Sequence, residues 1–336
     1  MRVAVLAGGR SSEHEVSLES ARSVLGGLEE AGHECLPIVI ARDGTWSRRD
    51  PRALNGAGEP VRLDPGQGLE GVEAVFPALH GPFGEDGIVQ GLLECLDVPY
   101  VGAGVLASAL CMDKVAFKRL LAEAGLPQVR FEVASHAEWQ RAPDEVLARA
   151  QALPFPVFVK PARLGSSFGI SKVTDAETLP GALESAFRHD PSALIEEGAS
   201  GIEIECSVMG NLEPVASEPG QVIAQGDWYD FQAKYTEGGM ELRVPAPITP
   251  SQRERVRRLA VEAYRRSSCC GLARVDFFVT AEGQVLVNEL NTIPGFTSTS
   301  VFARLFEASG VPYVELLDRL LAYAVERHGR ERSFLF

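Results

Sequence analysis

Among the 336 residues, no stretch limits the fold more than Ala273 to Ser300, ARVDFFVTAEGQVLVNELNTIPGFTSTS. Two runs rich in β-branched and aromatic residues, ARVDFFVT and VLVNELN, flank the turn residues Ala281-Glu282-Gly283-Gln284 and predict a hairpin. Side chains alternate across a strand, so Arg274 and Asp276 share one face, as do Glu289 and Asn291. A turn of these four residues sets Asp276 opposite Glu289 and Arg274 opposite Asn291. Two carboxylates facing each other across a ladder repel unless a cation offsets them. Aspartate, glutamate and an asparagine carbonyl are hard oxygen donors, the set that suits magnesium rather than zinc or copper. The plain structural alternative is a hairpin with a solvated charged face, although Asp, Glu and Asn are disfavoured inside strands. The loop that follows, Ile293 to Ser300, offers backbone N–H groups and hydroxyls.

The chain is too long for one ordinary core, so two or three domains are expected. Its 45% hydrophobic and 23% charged residues are those of a soluble globular protein. A net charge of −14 without a basic run argues against nucleic acid as a partner, so a polyanionic ligand must be met by a few local cations. The opening run Val3–Ala7 is too short for a signal peptide and no window spans a bilayer, so no membrane partner and a cytoplasmic location are expected. Six cysteines without a C-x-x-C pair predict buried free thiols.

Strand Val3–Ala7, the glycines Gly8-Gly9 and a helix open the chain as a doubly wound α/β unit does, with ligand at the strand's carboxyl end. The glycines lack the dinucleotide-binding spacing. Ser12-x-x-Glu15 predicts a capping box, which competes with any functional role for Glu15. Strand Val72–Ala78 runs into His80-Gly81-Pro82-Phe83-Gly84-Glu85-Asp86-Gly87, a tight loop at a strand end where such folds bind ligands. His80 has a structural reading as well. Asp113-Lys114 begin a helix, and a second amphipathic helix is expected from Ala137 to Ala150.

Lys160 ends strand Pro156–Pro161 beside Gly165-Ser166-Ser167-Phe168-Gly169, a loop with N–H groups and hydroxyls for phosphate. It is not a Walker loop. Glu196 is suited to accept from an adenine amino group and Glu203 from ribose hydroxyls, though each also reads as an ordinary acid on an exposed strand face. Gln225 to Pro245, with Lys234-Tyr235, exceeds usual connection lengths and reads as a lid.

The ordered motifs GGRSSEHEVSL, ALHGPFGEDG, MDK, VKPARLGSSFGISKV, EIECSVMGN, DFQAKY, ARVDFF and VNELNTIPGFTSTS resemble the D-alanine–D-alanine ligases of the ATP-grasp superfamily over nearly the whole chain. The resemblance implies an N-terminal Rossmann-like doubly wound parallel sheet over residues 1–104 and antiparallel ATP-grasp units over 105–196 and 197–336, with ATP held between two antiparallel sheets. It implies that Asp276, Glu289 and Asn291 hold Mg2+ or Mn2+, two ions in all, and that Lys114, Lys160, Ser166, Ser167, Glu196, Glu203 and Lys234 serve the nucleotide. Glu15 and His80 are expected at the first D-alanine's ammonium and carboxylate. Ser166 and Tyr235 are expected to join Glu15 in linking three segments. Lys234 and Ser300 are expected at the second carboxylate, and Arg274 with the N–H of Gly295 at the tetrahedral intermediate. It further implies a homodimer and peptidoglycan precursor synthesis. Ligases with D-lactate or D-serine as acceptor, or a nucleotide-binding module without turnover, are the alternatives. Lys234-Tyr235 favours D-alanine, and the intact Asp276, Glu289, Asn291 and Arg274 favour turnover.

Overall fold

The computed structural model describes residues 1–165, 168–224 and 240–335, and its strands form three sheets in chain order. The first contains β1 (Arg2–Gly8), β2 (Glu34–Ile40), β3 (Trp46–Arg48), β4 (Glu59–Pro60) and β5 (Ala74–Pro77) in the order β4-β3-β2-β1-β5. β1 runs parallel to β2 and β5, while β3 and β4 add an antiparallel edge. The unbroken apolar run of β1 is explained by burial on both faces. Val3, Val5 and Ala7 share a core with α1 (His14–Glu30), and Ala4 and Leu6 share another with α2 (Ile88–Leu96).

α3 (Val105–Met112) and α4 (Lys114–Glu123) lead to the second sheet. Asp113 caps α4 by accepting from the Ala116 N–H at 3.0 Å, which fixes where Lys114 begins its helix. β6 (Phe131–Ser135) is followed by two short helices, α5 (His136–Arg141) and α6 (Pro143–Gln151), in place of the one helix expected there. Pro143 has no N–H and occupies the first turn of α6, and Ala142 leaves helical geometry at φ −147°. β7 (Val157–Pro161), β8 (Ser171–Val173), α7 (Leu179–Phe187) and β9 (Ser192–Glu197) complete an antiparallel sheet of order β6-β9-β7-β8.

The third sheet is antiparallel too: β10 (Ile202–Met209), β11 (Val215–Ala216), β12 (Gly220–Ala224), β13 (Met240–Arg243), β14 (Leu272–Val279) and β15 (Val285–Asn291), with β10 at its centre and α8 (Pro250–Arg266) behind it. β13 lies inside the stretch expected to be a lid, so residues 240–243 belong to the sheet, and 225–239 lie outside the described residues.

Packing crosses the boundaries expected from sequence. Phe117 and Leu121 of α4 are buried with Val275 and Phe277 of β14 rather than with the second sheet. After α9 (Val301–Glu307), Leu316, Leu317, Leu320 and Leu321 of α10 (Tyr313–Arg332) join the core of the first sheet. Gly27, inside α1, makes that approach possible: a Cβ there would stand 2.4 Å from the Leu317 side chain. Of the cysteines, Cys111, Cys206 and Cys269 are buried free thiols, but Cys95 is exposed, contrary to expectation.

The β14–β15 hairpin carries the expected pairs, Asp276 opposite Glu289 and Arg274 opposite Asn291, by a different route. The turn is one residue tighter, because the Thr280 N–H bonds to the Gln284 carbonyl. An irregularity after Asp276, where Phe277 pairs with Val287, leaves Asn288 as an extra residue and restores the register. Val285 and Val287 are buried on the core side, and after Asn288 the phase shifts so that Leu290 is buried and Glu289 is turned to the other face. Without the bulge, Glu289 would follow Val285 and Val287 into the core.

Candidate active site

The second and third sheets face each other across a cleft. On one wall Phe158 and Lys160 of β7 stand beside Glu196 of β9, on the opposite side of the strands from Val157, Val159 and Ile195, which fill the core. Glu196 is 2% exposed and is not the solvated acid that its strand position also allowed. Its carboxylate oxygens meet Lys118 Nζ at 2.6 Å and Lys160 Nζ at 2.5 Å. Burial alone would raise its pKa, but Lys118 and Lys160 hold it down at about 2. Lys118 was not anticipated. Its signal was its place on α4, one turn beyond Lys114 and on the inward face with Val115 and Leu121. Lys114 itself lines the cleft and donates to the Leu164 carbonyl at 2.5 Å. Burial lowers its pKa, against the pull of Glu289.

On the other wall three acids stand abreast: Glu205 of β10, Asp276 of β14 and Glu289 of β15 occupy successive pairing positions. Arg274 lies two pairs along the ladder on the same face, donates to both Asp276 oxygens at 2.7 Å and reaches Glu205 at 2.9 Å. Burial would lower its pKa, yet Asp276 and Glu205 hold it well above the usual guanidinium value. Glu205 escaped the sequence reading because one chain does not reveal which strand β10 will face. Glu203, at the exposed start of β10, lies on the cleft wall. Asn291 accepts from the Ile293 N–H at 3.0 Å.

Among the described residues, no group of three His, Cys, Asp or Glu closes on a single point. Asp276 and Glu289 nonetheless fit a hard cation. They are like charges held side by side, and the amides of Asn288 and Asn291 add oxygen donors along the same strand.

The first sheet supplies the mouth of the site. Glu15 lies in the first turn of α1. No capping box forms, the helix is preceded by Glu13 without a side-chain cap, and the Glu15 side chain is 72% exposed, 3.7 Å from Arg42. Glu13, two residues earlier, is the buried acid. Its Oε2 lies 2.6 Å from where a Cβ on Gly81 would stand and 3.5 Å from one on Gly165, so it touches the loops after β5 and β7 at once. Gly81 has φ +71°, and only glycine leaves room there. The helical period could have found it, since Glu13 continues the buried face of Ser17, Ser20 and Val24 backwards by one turn.

His80 lies in the loop after β5. It is buried, its Nε2 is 2.9 Å from Ser20 Oγ, and its Nδ1 is 3.2 Å from the Ile293 carbonyl. Burial lowers its pKa. A neutral ring donates from Nδ1 to Ile293 and accepts from Ser20 at Nε2. One nitrogen thus meets α1 and the other the loop after β15. Ser23 and Ser300 hold the same loop, accepting from the Ser298 and Thr297 N–H groups at 3.0 and 2.9 Å. The Ser300 hydroxyl also lies 3.4 Å from where a Cβ on Gly295 would stand. Ser166, Ser167, Lys234 and Tyr235 lie outside the described residues.

Two facing antiparallel sheets with lysines on one wall and acids on the other, fed by a parallel α/β unit, define an ATP-grasp enzyme. The D-ala D-ala ligase N-terminus family matches residues 2–103 and the D-ala D-ala ligase C-terminus family residues 120–322. The chain is similar to a D-alanine–D-alanine ligase of Deinococcus radiodurans, 47% identical over 97% of this chain and 98% of that protein. A solved D-alanine–D-alanine ligase from Coxiella burnetii superposes with a TM-score of 0.89 at 35% identity, over 99% of this chain and 96% of the other. The VanG D-Ala:D-Ser ligase of Enterococcus faecalis gives 0.87 at 34%, over 96% and 99%. The chain belongs to the D-alanine–D-alanine ligase family, whose members use ATP. Among the described residues no helix is long and apolar enough to cross a membrane.

Proposed function

We propose that this protein joins two D-alanines into D-alanyl-D-alanine with conversion of ATP to ADP and phosphate, for peptidoglycan precursors. The opposite charge of the two cleft walls carries this reading: Lys114 and Lys160 suit a polyphosphate, while Asp276 and Glu289 suit the cation that accompanies it. Asp276, Glu289 and Asn291 would hold Mg2+ or Mn2+, two ions on the family pattern, and the metal supplies charge neutralisation of the phosphates. Glu203 and Glu196 serve the nucleoside end, Glu196 chiefly by fixing Lys160.

A carboxylate is a poor electrophile. The first D-alanine's carboxylate oxygen attacks the γ-phosphorus, ADP leaves, and an acyl phosphate results. The neutral amine of the second D-alanine then attacks the acyl carbon, the C–O bond to phosphate breaks, and the amine gives up a proton. Glu13 takes the ammonium-binding role first assigned to Glu15, because it is the buried acid. His80, through Ser20 and Ile293, is a positioning residue. Arg274 and the Gly295 N–H are fixed donors for the tetrahedral oxyanion, each worth about 3–4 kcal/mol where such donors have been removed from hydrolases. Ser300 orients the second carboxylate together with Lys234, which like Tyr235, Ser166 and Ser167 keeps the role the resemblance implies. Residues 1–104, 105–196 and 197–336 act as the three units, and the protein works as a homodimer.

The test is incubation with ATP, magnesium and equal amounts of D-alanine, D-lactate and D-serine, with products identified by mass. Dipeptide of two D-alanines is expected to dominate at pH 7 to 8. Depsipeptide or D-alanyl-D-serine as the major species would overturn the acceptor assignment. ATP cleavage independent of D-alanine would overturn the ligase reading.

A further inference from the structure

Glu85 stands in the loop after β5 and belongs to none of the roles above. Its Oε1 accepts from the Gly81 N–H at 3.1 Å. Its Oε2 is buried and, among the described residues, has no hydrogen-bond partner. The space beside Gly165 is bounded by two acids: a Cβ placed there would lie 3.5 Å from Glu13 Oε2 and 3.8 Å from Glu85 Oε1. Burial, with Glu13 next to it, pushes the Glu85 carboxyl up to about 8. Lys114 pulls it down and Glu289 pushes it further up. A buried carboxyl oxygen without a partner carries a desolvation cost that a donor arriving with the ligand removes.

Resting on the ligase reading, we propose that Glu85 is a second acceptor for the ammonium of the first D-alanine, opposite Glu13. An ammonium has three N–H donors. One acid answers its charge but not its hydrogen bonds, and Glu85 Oε2 supplies an acceptor from the neighbouring loop, the arriving positive charge favouring the ionised form of Glu85. The glycine at position 165 leaves the room that a side chain would fill between the two acids.

The variants Glu85→Gln and Glu85→Asp separate this role from a structural one. Glutamine keeps an acceptor for the Gly81 N–H and nearly the same shape but loses the carboxylate, whereas aspartate keeps the charge and shortens the reach. Initial rates with purified full-length enzyme give separate KM values for the first D-alanine, the second D-alanine and ATP. For Glu85→Gln, the first KM is expected to rise about tenfold or more, the scale of a hydrogen bond to a charged group. The other two are expected to stay within about twofold. Glu85→Asp should recover part of the loss. An unchanged first KM in Glu85→Gln, a parallel rise of all three constants, or a larger loss in Glu85→Asp than in Glu85→Gln would each overturn the proposal. If Glu85→Gln does not fold, Glu85→Asp decides alone: a first KM displaced alone supports the role, and all three displaced together sinks it. Dipeptide formation by the wild-type enzyme tests the ligase reading separately, so failure of Glu85 leaves that reading standing.

Discussion

On the wall built by β7 and β9, one carboxylate, Glu196, stands between two lysines, Lys118 and Lys160. On the wall built by β10, β14 and β15, one guanidinium, Arg274, stands between two carboxylates, Glu205 and Asp276, with Glu289 next in the row. Both arrangements bury charge at close range, and both leave a surplus, positive on the first wall and negative on the second. Buried ion pairs are weak contributors to net stability but costly to break, because the survivor is left uncompensated. The difference between the walls lies in the sign of that surplus. On the proposed function, a phosphate would complete the first wall and a metal ion the second.

The largest effect is expected at Glu196. Glu196→Gln leaves Lys118 and Lys160 buried without a counter-charge and should lower unfolding free energy by about 3–5 kcal/mol, read from urea unfolding at neutral pH. The wild-type carboxyl lies at about 2 when folded against an ordinary 4.5, so between those values the unfolded chain binds more protons and stability rises with pH. Its contribution is full above about pH 4.5 and lost as pH falls through 2. Urea midpoints measured from pH 2 to 6 should show this slope in the wild type and a weaker one in Glu196→Gln. Equal slopes would mean that the lysines do not hold Glu196 down.

The opposite wall should behave in the opposite sense. Glu289→Gln relieves the like-charge contact with Asp276, so thermal stability without magnesium should hold or rise slightly while turnover falls about a hundredfold or more. Near-normal ligation would remove Glu289 from the metal site. At the mouth of the cleft, Glu13→Gln should raise the KM for the first D-alanine about tenfold or more with ATP affinity unchanged. Glu15→Gln should stay within about twofold of wild type, as an exposed ion pair predicts. Reversal of those two results would return the ammonium to Glu15.

The hairpin face was legible because strand alternation is strict, and Asp276, Glu289, Arg274 and Asn291 share a face as their spacing implied. The turn was not legible in detail, because a one-residue difference at Gln284 was cancelled by a one-residue bulge at Asn288, and only the end result shows in the acids. The hydrophobic phase change from Val287 to Leu290 was the available sign. The capping box read into Ser12 and Glu15 does not form, because Ser12-x-x-Glu15 satisfies only a local rule, whereas the helix start is decided by how α1 packs on the first sheet. His80 was identified as special, but its partners, Ser20 and Ile293, come from segments far apart in sequence. Lys118 and Glu205 were out of reach for the same reason: each becomes significant only through the strand or helix that closes over it.

The docking of α10 on α1 has a consequence for how the chain is made. The face of α1 that carries Leu18, Val24, Leu25 and Leu28 shares its core with Leu316 to Ala324, residues translated long after α1 itself. The first sheet can form early on the ribosome, but that side of it stays wet until α10 has been made. A chain released early, at about Val311, would present this apolar face to solvent, and the cell's quality control would meet it as an unfinished domain rather than a shortened enzyme.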